Sequence, residues 1–168
     1  YGVASSTIVS SGGYEYVEYG GRTYGTTLYS LGIQYIYNSG IASGTQVSGG
    51  GMLISSGGIA SSTVIFNGGG ENILSGGRDV GAVVSSGGLQ QLGYLNTAGA
   101  GGTAVSATIS SGGIQRVYFS GVTSNTALTA GALEYVSSGG TAIATSVKGG
   151  QLILYASGGA SGTLVSNG

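Results

Sequence analysis

Few residues in this 168-residue chain could do covalent chemistry. Cys and His are absent, so the chain offers no thiol nucleophile, imidazole base, disulfide or ordinary zinc site. Five acids remain (Glu15, Glu18, Glu71, Asp79 and Glu134), with four cations (Arg22, Arg78, Arg116 and Lys148). A glycosidase needs two opposed carboxyl groups, and a β-helical lyase or pectinase needs acids and bases gathered on one face. The acids here are thinly spread, so no catalytic residue is expected and the chain reads as a non-enzyme. Arg78-Asp79 is the only adjacent pair of opposite charges, and a surface ion pair is the expected account of it. Gly-Ala-Gly-Gly at 99–102 lacks the Lys-Ser/Thr of a phosphate loop and reads as a turn. Four cations cannot form a phosphate-neutralising stripe, so nucleic acid is excluded as a partner. No metal or cofactor is called for. What remains is binding chemistry: 12 Tyr, eight of them within residues 1–37, and many Ser beside Gly.

A repeat must position these side chains. Long arms follow Gly2, Gly21, Gly40, Gly58, Gly77, Gly102, Gly121, Gly140 and Gly158. Seven residues after each stands an aliphatic residue, from Val9 and Leu28 through Val47, Ile65 and Val84 to Val165. Two residues before that aliphatic comes Thr in most arms, as at Thr26, Thr45 and Thr126, with Ala82 and Ala107 as the exceptions. Short arms lie between the long ones, and their fourth residue is again aliphatic, from Val17 and Ile36 to Leu154. Their second residue forms a column of Glu15, Gln34, Met52, Glu71, Gln90, Gln115, Glu134 and Leu152.

Period two within arms, β-branched residues at fixed positions and Gly-Gly between arms describe short strands joined by tight turns. Glycine recurs too often for a helix to propagate. Burying a fixed aliphatic contributes about 1.5–3 kcal/mol, far less than ordering some 19 residues costs. One coil alone is therefore unstable and must stack on copies of itself. The expected fold is all-β, a single-stranded parallel β-helix or solenoid with about 19 residues per coil. Its roughly eight to nine coils, each about 4.8 Å above the last, make a rod on the order of 40 Å long. It forms one domain over 1–168, with a six-residue corner insertion within 93–101. The chain starts and stops within a repeat, so it is expected to be a fragment of a longer rod.

Parity assigns the faces. The Thr column shares the parity of the invariant aliphatics, so its hydroxyls should point inward and bond a corner, which argues against the outward Thr ladders of ice-binding solenoids. No two Glu are adjacent in the Glu/Gln column, so its amides can ladder without stacked carboxylates repelling. Outward positions of the short arms hold Tyr16, Tyr35, Tyr37, Tyr118, Tyr135 and Tyr155, which form the candidate interaction face. Tyrosine on a flat strand face can stack on sugars or pack against another rod.

The repeat resembles the passenger repeats of AIDA-type self-associating autotransporter adhesins. The matching stretches are Ser-Ser-Gly-Gly-Ile-Gln-Arg-Val (110–117), Ser-Gly-Ile-Ala-Ser-Gly-Thr-Gln-Val (39–47) and Ser-Gly-Gly-Ile-Ala-Ser-Ser-Thr-Val (56–64). The resemblance implies a right-handed β-helix, exported across the outer membrane and displayed at the bacterial cell surface or released outside the cell. It also implies adhesion, self-association and biofilm formation. In some members of that family serines of these repeats carry heptose added by a glycosyltransferase, and the matching corner positions here are Ser11, Ser56, Ser86, Ser111 and Ser138. The expected partners are a second copy of the chain, surface glycans or proteins, and that glycosyltransferase. This segment has no apolar run long enough for a membrane helix and is not expected to insert in a membrane. The rival expectation is an extracellular filament or sheath built from stacked solenoid units.

Overall fold

In the computed structural model, which describes residues 2–94 and 101–166, the arms become three parallel sheets. Sheet I has nine strands of three residues, from Val3–Ser5 to Gly159–Ser161. Sheet II has nine strands of two or three residues, from Ile8–Val9 to Leu164–Ser166. Sheet III has eight strands of four residues, from Tyr14–Val17 to Gln151–Leu154. Each coil contributes one strand to each sheet, and like positions lie over one another. Ile65 pairs with Val47 on one side and Val84 on the other, as the repeat requires. The long arm is thus two strands, split by a bend of one residue.

Register survives the irregular spacings. Leu89 pairs with Ile114 and Arg78 with Thr103 across the insertion, so sheets I and III resume without a slip. Of the expected corner insertion, residues 95–100 lie outside the described residues.

The three corners use different backbone solutions. Between sheets I and II a single residue turns the chain in the left-handed region, as at Gly25 (φ 64°), Ser62 (φ 54°) and Asn125 (φ 55°). The other two corners are two-residue turns closed by backbone bonds, such as Gly88 N–H donating to Ser85 O over 2.9 Å. Their paired glycines serve different ends. Gly139 has φ 73° and supplies the turn, whereas Gly140 does not have positive φ. A Cβ on Gly140 would sit 2.6 Å from the Val117 carbonyl oxygen, so hydrogen is required there for coils to close on one another.

The rod is filled by three stacks. Aliphatics from sheets II and III, among them Leu28, Ile36, Ile54, Ile65, Ile73, Leu92 and Ile109, are fully buried. A small-residue stack from sheet I (Ala42, Ala60, Ala104, Thr123 and Ala142) leaves room for the third, polar stack. Gln34, Gln90, Gln115, Glu71 and Glu134 are buried in that stack, and Gln115 Nε2 donates to Gln90 Oε1 over 2.5 Å. In the last coil the same columns are exposed, as at Leu154 and Val165.

Two expectations need correction. The Thr column does point inward, but its hydroxyls bond the polar stack instead of a corner: Thr26 donates to Glu15, Thr45 to Gln34, Thr126 to Gln115 and Thr145 to Glu134. Arg78-Asp79 is not a surface ion pair. Asp79 occupies the small inward column between Ala60 and Ala104 and is buried, while Arg78 points outward and is exposed. Strand alternation sends neighbouring side chains to opposite faces, so adjacency in sequence separates them.

Candidate interaction face

Sheet III has the longest strands and, like sheet I, presents two outward columns per coil, but its columns carry the stacked tyrosines. One column holds Tyr14, Ile33, Gly51, Gly70, Leu89, Ile114, Leu133 and Gln151. The other holds Tyr16, Tyr35, Leu53, Asn72, Gln91, Arg116, Tyr135 and Ile153. The first column was missed in the sequence, although it has the same parity as the second and lies two residues before it. Its Ile33, Leu89, Ile114 and Leu133 are half-exposed, so the face is aliphatic as well as aromatic.

In-register stacking organises the aromatics into two groups. Tyr16 and Tyr35 face each other with ring centroids 5.2 Å apart and planes 8° from parallel. Tyr14 joins them at 6.3 and 6.2 Å. The 5.2 Å between Tyr16 and Tyr35, which pair across neighbouring coils, is close to the coil spacing, so these two rings stack along the rod. Tyr37 lies one coil above Glu18, and hydrogen bonding to that carboxylate raises its phenol pKa above the ordinary value. Near the other end Tyr135 and Tyr155 stack at 6.0 Å and 20°. Together with Ile114, Arg116, Tyr118 and Ser137 they line an open groove. Of the six tyrosines read from the sequence, the structure therefore gathers Tyr16, Tyr35 and Tyr37 at one end and Tyr118, Tyr135 and Tyr155 at the other. Leu53, Asn72 and Gln91 separate the two groups.

The five candidate serines are all exposed and all stand at the first central position of a two-residue turn. Ser11, Ser86 and Ser111 occupy the corner that enters sheet III, and Ser56 and Ser138 the corner that leaves it. They border the tyrosine face on both long edges. All five precede a left-handed Gly, and Ser11 (φ 52°) and Ser56 (φ 47°) are themselves left-handed. A Cβ on Gly112 would approach Ser86 Oγ to 2.7 Å, and one on Gly131 would approach Ser111 Oγ to 2.9 Å. Glycine in the next coil thus keeps these hydroxyls uncovered.

No family model and no curated protein matches the chain. Among solved structures it is similar to the TibC-catalysed hyper-glycosylated fragment 55–350 of TibA. The two share 28% identity at a TM-score of 0.70, over 98% of this chain and 79% of that one. The likeness runs the length of the rod. It supports the relation to AIDA-type passenger repeats drawn from the sequence, and it places this chain beside a glycosylated β-solenoid.

Proposed function

We propose that this chain is a non-catalytic passenger segment of a bacterial surface adhesin, mediating adhesion, self-association and biofilm formation through the outer face of sheet III. The observation that carries this reading is the juxtaposition on one face of stacked tyrosines and aliphatics, within a solenoid similar to a glycosylated TibA fragment. Contiguous exposed apolar surface of this kind marks interaction sites. A flat face repeated over eight strands engages a second rod, or a surface glycan or protein, through many weak contacts whose number supplies avidity. Serine-linked sugars added by a glycosyltransferase at Ser11, Ser56, Ser86, Ser111 and Ser138 would rim that face and add hydroxyl-rich contact area on both its edges. On this reading the segment belongs to a longer exported rod held at the cell surface.

The test is display of the chain on a non-aggregating bacterium, with and without a co-expressed heptosyltransferase. Settling of the culture, or adherence to a cell layer, is expected. Intact mass should rise above 16.2 kDa in heptose-sized steps that disappear when the five serines are changed to Ala. A displayed rod that neither settles cells nor adheres contradicts the reading, and micrometre-long fibres of purified protein would favour a filament instead.

A further inference from the structure

The interior of the rod contains one place where two acids meet. Glu71, from the strand Gly70–Ile73, and Asp79, from the strand Arg78–Val80, are each about 1% exposed. One amide serves both: Gln90 Nε2 donates to Glu71 Oε2 over 2.6 Å and to Asp79 Oδ2 over 3.3 Å. The remaining fixed donor is the Val80 backbone N–H, 2.7 Å from Asp79 Oδ1.

Both columns depart from their usual residues here. Asp79 stands where the coils on either side have Ala60 and Ala104. Glu71 follows Met52 in the polar stack. Elsewhere a Thr reaches the stack residue eleven positions before it, as Thr45 reaches Gln34. Eleven before Thr63 is Met52, which cannot accept well, and eleven after Glu71 is Ala82, which has no hydroxyl. The Thr63 hydroxyl and Glu71 Oε1 are accordingly the two buried side-chain atoms left without a hydrogen-bond partner among the described residues. Met52, Ala60, Ala82 and Ala104 present only apolar atoms to the pair, the Thr63 hydroxyl is the other polar group beside it, and the nearest cation, Arg78, is on the outer surface.

We infer that Glu71 and Asp79 share one proton in the folded rod, and that losing it loosens the coils they join. Two carboxylates buried against each other cannot both remain charged, because the water that would solvate them is excluded and they repel. Consistently, burial pushes the Glu71 pKa well above the ordinary carboxylate range and that of Asp79 up to about 6. The folded state therefore binds this proton more tightly than the unfolded chain does. Its contribution is complete below the unfolded carboxylate range and is lost as pH rises through the folded values. Each coil leans only on its neighbours, so the loosening is local, near the middle of the rod.

Hydrogen exchange on the intact chain tests this, comparing pH 5 with pH 8 after correction for intrinsic exchange. Peptides spanning 71–92 should open at least about tenfold more at pH 8, relative to a reference peptide spanning 28–47, since each unit of raised pKa is tenfold in the opening equilibrium. Asp79→Ala, which restores the residue usual in that column, should abolish the excess. Glu71→Gln, which restores the amide of the polar stack, should do the same. An unaltered chain without the excess would overturn the inference, as would an excess that persists in Asp79→Ala. So would either variant proving less stable than the unaltered chain at pH 8.

Discussion

The hydroxyl of Thr45 donates to Oε1 of Gln34 over 3.1 Å, eleven residues back and one coil below. The same step joins Thr26 to Glu15, Thr126 to Gln115 and Thr145 to Glu134. A column of hydroxyls thus satisfies a column of amides and carboxyls inside the rod, and the chain breaks the rule at Ala82. Ala82→Thr supplies the missing donor to Glu71 and should stabilise the rod by about 1 kcal/mol, the usual net worth of a hydrogen bond. Urea titration at pH 5 measures it: a higher midpoint is expected, and an unchanged or lower one counts against the pairing rule.

Buried carboxyls give the rod a pH dependence of definite sign. Burial raises the pKa of Glu134 despite the hydroxyls of Thr123, at 2.7 Å, and Thr145, at 3.1 Å, and it raises those of Glu71 and Asp79 as well. Folded groups with raised pKa bind more protons than unfolded ones, so stability falls as pH climbs from the ordinary carboxylate range through about 6 and beyond. Denaturant midpoints should be lower at pH 8 than at pH 5. A midpoint that rises over that interval would contradict the burial of these acids.

Glycine is required at some corners and dispensable on the open face. Gly140→Ala places a methyl group 2.6 Å from the Val117 carbonyl oxygen and should cost about 1–3 kcal/mol through overpacking. Gly70 sits in a strand on the outer face with nothing within 4 Å of a Cβ and does not have positive φ. Gly70→Ala should therefore be neutral or slightly stabilising, because it restricts the unfolded chain. Thermal melts of the two variants decide the point, and equal losses would show that the glycines act through something other than coil contact.

Most of the rod was legible because stacking makes every coil report the same position. Val47, Ile65 and Val84 are alike in sequence because they are neighbours in space. The inward turn of the Thr column followed from its parity with those aliphatics, but its partners did not, since eleven-residue contacts cross between sheets. The charge of Asp79 points in sequence to its neighbour Arg78, although strand alternation sends the two to opposite faces. The Ala42, Ala60, Ala104 and Ala142 column that places Asp79 inside was visible in the repeat. The outward column of Ile33, Leu89, Ile114 and Leu133 is less legible, because an aliphatic side chain at a strand position carries no chemical mark of exposure. Handedness and the clustering of tyrosines into two groups depend on coil geometry that periodicity does not contain.

The interaction face is tested most directly by the variant carrying Tyr35→Ser, Tyr37→Ser, Tyr118→Ser and Tyr135→Ser, with settling of displaying cells compared against the unaltered chain. All four side chains lie on the outer surface, so the circular-dichroism spectrum should stay that of the parent while settling is lost. Settling that continues at the parental rate, with the fold intact, would remove the tyrosine face from the mechanism.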